Sequence, residues 1–496
     1  QIGSLTTTQE SGLTTEQIAS LSSTQANGLT ATEVAALSTT QANALTATQI
    51  IGLTTSAITG LSSSQVSSLT TDQIGSLTST QIFALTTAQA GGLTSSQIAA
   101  ITTSATVGFN NAVFIGLTTT QEAGFTSTQI GSLTADEQIW LTDTQFGALT
   151  PTQFAGFTST QVASLSIAQL SLITSTQISG LTSSGFSGLS NNNLSFDLTT
   201  TQLSGLTSTQ LGWLTTTQES GLTTEEINSL TTTQLAGLSQ TQIGTLTTVQ
   251  ESGLSSTQIV SLTSTQASGF NSLQISKLTT NQLSAFTTTQ IVGLTTTGIS
   301  GLKSNQIASL TTTQESGLTS TQVSVLTTAQ EIGLSSTQIN ALTSEQTAGL
   351  SSTQIVSMTM GQFSALNSAQ IVGLTTSVIA GLGASQVSYL SSQQIQAFTS
   401  TQFITLSSTQ ISLLTATQES YLTSTQISLL STDQVSGLSS TQVSGITTTQ
   451  ASALTSTQIG SLTTTQGAGL TTTQISILTL TQFGALSSTQ ISGLTS

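Results

Sequence analysis

Leu149-Thr150-Pro151-Thr152-Gln153-Phe154-Ala155-Gly156, followed by Phe157, reads as one complete miniature helix. Thr150 is an N-cap whose hydroxyl accepts from a free N–H of the first turn. Pro151 falls at the first helical position, where its fixed φ suits the helix and its missing N–H costs nothing. Gln153, three residues after the cap, reaches back to the cap N–H and completes a capping box. Leu149 before the cap and Phe154 at the fourth helical position form a hydrophobic staple. Gly156 is placed to end the helix in the left-handed conformation. Phe157 then opens the same pattern again, as Phe157-Thr158-Ser159-Thr160-Gln161-Val162.

The whole chain repeats this unit. Leu5, Leu13, Leu21, Leu29, Leu37, Leu45 and Leu53 set a period of eight, held to Leu189 with Phe109, Phe125, Phe157, Ile101 and Ile173 as substitutes. One extra residue enters at 191–197, and from Leu198 the period resumes to Leu494. Residues 1–496 therefore read as a single continuous octapeptide-repeat solenoid. The chain begins inside a repeat and stops where another would begin, so a slice of a longer array or a processed product is expected.

Eight is not a multiple of 3.6. A continuous helix would turn the Leu stripe by about 80° per repeat, which excludes one long amphipathic helix. An all-α solenoid of short capped helices remains, with a β-solenoid of Thr and Gln ladders as the alternative. The acids favour helices. Glu16, Asp72, Asp136, Glu225, Glu345 and Asp433 fall two after the cap, Glu33, Glu137 and Glu226 replace the box Gln, and Asp143 opens a helix. Glu10, Glu122, Glu219, Glu251, Glu315, Glu331 and Glu419 stand at the fourth position, and only Asp197 is elsewhere. Carboxylates gather where a helix N-terminus is positive, and strands give no reason for that. Asn110, Asn271 and Asn367 replace the cap Ser or Thr sensibly, whereas Lys303 and Gly383 do not.

A longer period lies beneath the first. Counting repeats from Leu5, the staple position of even repeats is large from Ile18 to Ile355, and Ala26, Ala42, Ala90, Thr106, Glu122 and Gln138 fall in odd ones. The expected unit is a sixteen-residue coil of two helices, one with its staple residue buried and the other with it at a rim. The parity slips between 347 and 419, because Glu419, Ala451 and Gly467 fall in even repeats.

Composition excludes most chemistry. The chain lacks Arg, His and Cys, which removes Cys/His metal clusters, disulfides and nucleophile–His pairs. Lys277 and Lys303 are the only basic residues, too few for a phosphate-binding footprint, so no nucleic-acid partner is expected. No apolar run approaches the roughly 20 residues of a membrane span, so no membrane insertion is expected. Asp136, Glu137 and Asp143, then Glu225 and Glu226, are the densest acids, without the spacing of a calcium loop. Thr6-Thr7-Thr8 and similar runs suit helix caps before flat ice-binding arrays. Trp140, Trp213, Tyr389 and Tyr421 precede a Leu position, where packing at a helix end competes with carbohydrate stacking. No catalytic, cofactor-binding or metal residue is expected, and no enzyme. Ser and Thr hydroxyls are acceptors for O-glycans in a suitable host.

Leu-Thr-Pro-x-Gln at 149–153 resembles the start of the repeats of the bacterial TAL effectors, but those repeats are several times longer and need basic residues absent here. Along the whole chain, tandem Leu-Thr-x-x-Gln-Ile-x-x repeats resemble those of very large repetitive bacterial surface and secreted proteins. That resemblance implies an extracellular or cell-surface structural protein: a filament, fibre or sheath. With charge at 4% of residues, self-assembly through uncharged Ser, Thr and Gln is expected. The alternatives are the stalk of a bacterial adhesin and an ice- or carbohydrate-binding rod.

Overall fold

A computed structural model describes residues 5–189 and 199–494. Among the described residues it is all helix, with sixty helices of four to six residues and no strand. The chain is an all-α solenoid, and the β alternative is set aside. Residues 1–253 and 254–496 form two compact units, each built of the same elements. The insertion at 191–197 lies outside the described residues.

The caps form as the sequence dictates. Thr150 is extended at φ −79° and ψ 160°, and Pro151–Phe154 is the helix it opens. The Gln153 amide N–H reaches the Thr150 hydroxyl at 3.3 Å, and the Thr150 N–H donates to Gln153 Oε1 at 2.8 Å. The next helix, Ser159–Ala163, repeats both bonds from Thr158 and Gln161. Leu149 and Phe154 are both buried, completing the staple.

Three expectations are corrected. First, the glycines do not end helices in the left-handed region, since no described residue has a positive φ. The residue after Pro151–Phe154 is Ala155, right-handed at φ −62° and ψ −18°. Gly156 serves close approach instead: a Cβ there would collide with the carbonyl of Ser127, the first residue of helix Ser127–Ser132.

Second, the coil is not a pair of helices. Helices pack on their third neighbours, as Ser127–Ser132 does on Pro151–Phe154 and Ser344–Thr347 on Ser368–Gly373. Side-chain bonds between successive turns span 28 and 31 residues. The packing contacts join third neighbours, while the Gln129 bonds reach the end of Ser95–Ala100, four helices before Ser127–Ser132, so a turn takes between three and four helices.

The sixteen-residue beat is not the stacking period. Residues two repeats apart meet in the core, as Phe109 and Phe125 do at 5.3 Å between ring centroids and Phe270 and Phe286 at 5.6 Å. Helix length follows the same beat. Ser95–Ala100, Asn111–Gly116, Ser127–Ser132 and Asp143–Ala148 have six residues, and the helices between them have four. Six-residue helices start at Ser352, Ser368 and then Ser392. The intervals are 16 and then 24, because Thr376–Ala380 and Ala384–Ser388 are both of five residues. The alternation thus skips one repeat around Gly383, an N-cap with no side chain to accept a bond.

Third, the fourth helical position is not at a rim in odd repeats. Ala26, Ala42, Ala90, Thr106, Gln138 and Thr347 are buried there, and so are Glu10, Glu122, Glu219, Glu251, Glu315 and Glu331, with Glu419 buried likewise beyond the slip.

Candidate functional site

The most repeated polar arrangement is the side chain of the box glutamine. Gln129 shows it in full: Oε1 accepts the Thr126 N–H at 2.8 Å, and Nε2 donates to the carbonyls of Ile98 at 2.7 Å and Ile101 at 2.6 Å. Those carbonyls belong to the end of helix Ser95–Ala100 and to the residue that leads into the next cap. One amide therefore closes a helix start in its own repeat and a helix end one turn earlier. A helix end leaves carbonyls without intrahelical partners, and here a neighbouring turn supplies the donor. The same pair of long-range bonds recurs at Gln97, Gln161, Gln322 and Gln458.

Around the insertion the register widens by one. Gln202 reaches Leu170 and Ile173 across 32 and 29 residues, whereas Gln234 again spans 31 and 28 to Leu203 and Leu206. The capping role of Gln was legible in its spacing. The second role was not, because it depends on which repeats stack on one another. One signal pointed to it: Glu caps equally well, yet Glu stands in for Gln at only three positions, Glu33, Glu137 and Glu226. A carboxylate has no N–H to give.

The acidic groups do not converge on a site. Glu137 and Glu226 are buried in capping boxes on Thr134 and Thr223, and Asp136, Asp143 and Glu225 are exposed. Among the described residues no group of three or more His, Cys, Asp or Glu could hold a metal ion. Burial holds Glu226 above the usual carboxylate range, although the Thr223 hydrogen bonds pull it back.

The glutamates of the fourth helical position are the polar groups that sequence reading misplaced. Burial pushes Glu122, Glu251, Glu315 and Glu419 up to about 8. Glu219 and Glu331 rise to about 7 for the same reason, and Glu10 to about 7 through burial and the nearby charge of Glu33. Glu219 accepts from the Thr245 hydroxyl at 3.1 Å, which lowers it somewhat.

The aromatic residues before Leu positions pack partly. The Trp213 ring lies edge-on to Phe186 at 6.0 Å and Trp140 lies 6.3 Å from Phe114, while Tyr389 is exposed. The outward face also carries single apolar residues. Phe83 and Val107, both exposed, line one open groove with Thr55, Ser56, Thr80 and Gly108. Among the described residues no helix is long and apolar enough to cross a membrane.

No curated protein matches the chain. Three segments, residues 51–79, 275–312 and 363–400, match the ALTTAQ repeat family, and the hexapeptide of that name stands at 84–89.

Proposed function

We propose that this chain is a structural protein of an extracellular or cell-surface filament, fibre or sheath, and that it assembles with copies of itself through outward-facing Ser and Thr. The observation that carries the reading is how little charge reaches the surface. Of eighteen acids, ten are buried. Asp197 lies outside the described residues, and Glu16, Asp72, Asp136, Asp143, Glu225, Glu345 and Asp433 are exposed along with Lys277 and Lys303. Charge is a usual means by which proteins stay apart, and here the same short polar groups recur along every turn. Short side chains lose little rotamer entropy on burial and hydrogen-bond readily. A contact repeated along a solenoid is multiplied by its valency.

Gln does not belong to that surface: nearly all box glutamines are buried in the inter-turn bonds. The contact is therefore assigned to Ser and Thr of the first two helical positions, such as Thr7, Thr8, Thr71 and Ser127, which are exposed or half-buried. Replacing such residues by Lys across many repeats, with imaging of the product, tests this. Bundles should disappear while the helical signal is kept. Unchanged filaments in the variant, or a wild type that stays monomeric at high concentration, would contradict the proposal.

A further inference from the structure

At the fourth helical position, where most repeats bury hydrocarbon, this chain also buries carboxylic acids. Glu122, Glu315, Glu331 and Glu419 are each no more than 1% exposed, and no donor meets a carboxyl oxygen of any of them in good hydrogen-bond geometry. An ionised carboxylate in such a place has lost its water and gained no counter-charge, which is far costlier than burying the neutral acid. Gln138, a neutral side chain of the same size, occupies this position with the same burial.

The surroundings offer no compensating charge. Glu122 packs in helix Thr119–Glu122 against Ser95–Ala100 and Asp143–Ala148, whose one ionisable group, Asp143, is exposed and of the same sign. Helices Thr288–Gly293 and Ser336–Ala341 pack on Glu315's helix and bring no ionisable residue, and the exposed Glu345 lies in the helix whose Gln346 bonds the Glu315 carbonyl. Glu331's helix packs on Ser304–Ser309, capped by the exposed Lys303, and on Ser352–Ser357. Glu419's helix packs on Ser440–Gly445, and the exposed Tyr389 ends the helix that Gln418 bonds. The side chains that partly offset burial are neutral and lower these carboxyls only somewhat: Gln338 for Glu315, Ser357 for Glu331 and Gln442 for Glu419.

We propose that these buried acids make the solenoid proton-responsive: its turns close when Glu122, Glu315, Glu331 and Glu419 carry protons and loosen locally when they ionise. The direction follows from linkage. Their folded values, about 7 to 8, lie above the ordinary 4.5. The folded state therefore holds protons that the unfolded chain has released. Stability is fully present below about pH 4.5, falls as pH rises through 7 to 8, and levels off above that. Each turn of a solenoid rests only on its neighbours, so one ionised turn opens without unfolding the rest.

The test compares the full chain with the quadruple variant Glu122→Gln, Glu315→Gln, Glu331→Gln and Glu419→Gln at pH 5 and pH 9. The wild type should unfold several degrees lower at pH 9, with faster amide exchange in Thr119–Glu122, Thr312–Glu315, Thr328–Glu331 and Ala416–Glu419. The variant should lose most of that difference. Equal protection of the wild type at both pH values, or an undiminished difference in the variant, overturns the proposal. A second measurement needs no variant. Unfolding the wild type in unbuffered denaturant at pH 6 should release several protons per chain, and release of none overturns it equally.

Discussion

Gln153 Nε2 donates to the carbonyl of Glu122 at 2.7 Å, across 31 residues of chain. Its Oε1 accepts the N–H of Thr150, so the residue that starts one helix also finishes another a turn away. This dual use ties the eight-residue period of the sequence to the stacking of turns three to four helices apart.

Replacing a single box Gln by Glu should therefore separate the two roles. Gln129→Glu keeps the acceptor for Thr126 but removes the donor to Ile98 and Ile101. The Ile98 carbonyl keeps the Ile101 N–H, but leaving the Ile101 carbonyl without its donor costs about 1–3 kcal/mol. Amide exchange should quicken at the end of Ser95–Ala100, one turn away, more than at Thr126 itself. Faster exchange confined to Thr126 would contradict the inter-turn role.

Two glycines give a matched pair. Gly156→Ala should destabilise, because the new methyl collides with the Ser127 backbone carbonyl. Gly147 lies within helix Asp143–Ala148 with no atom within 4 Å of a built Cβ. Gly147→Ala should stabilise by roughly 0.5–1 kcal/mol, the ordinary gain for a helix interior. Thermal unfolding of the two variants checks the opposite signs.

Lys303 is an N-cap without an acceptor. Gln306 Oε1 still takes the Lys303 N–H at 2.7 Å, but nothing on Lys303 answers the first-turn amides. Lys303→Thr should restore the reciprocal bond and add about 1 kcal/mol locally, seen as slower amide exchange at the start of Ser304–Ser309.

Glu122→Ile places at the fourth position a residue that many repeats already bury, such as Ile130. Burying that hydrocarbon should stabilise by about 1.5–3 kcal/mol. The gain should be larger at pH 9, where Glu122 is ionised, than at pH 5, where it carries its proton. Denaturant midpoints at the two pH values give the comparison.

The helices themselves were legible because each is dictated locally: Thr150, Pro151 and Gln153 fix a start within four residues, whatever lies around them. What exceeded the reach of a repeat was not legible. The alternation of large and small residues suggests a two-helix coil, but repeats two apart, such as those of Phe109 and Phe125, meet in the core without stacking. Gly156 was given a conformational role because glycine commonly ends helices, whereas the neighbouring Ser127 backbone sets its need. Glu at the fourth position was placed at a surface by its charge. Its burial follows from a geometry that offers nearly every described repeat the same inward-pointing site, whichever residue fills it.

The turn length is open to one direct measurement. The chain has no cysteine, so introduced pairs report only on themselves. Phe83 and Val107 are 24 residues apart and line one groove, whereas Ala99, exposed and 16 residues from Phe83, stands where a two-helix coil would stack a neighbour. With a short thiol cross-linker, Phe83→Cys with Val107→Cys should join within the monomer, and Phe83→Cys with Ala99→Cys should not. Joining of the 83–99 pair and failure of the 83–107 pair would contradict a turn of three to four helices.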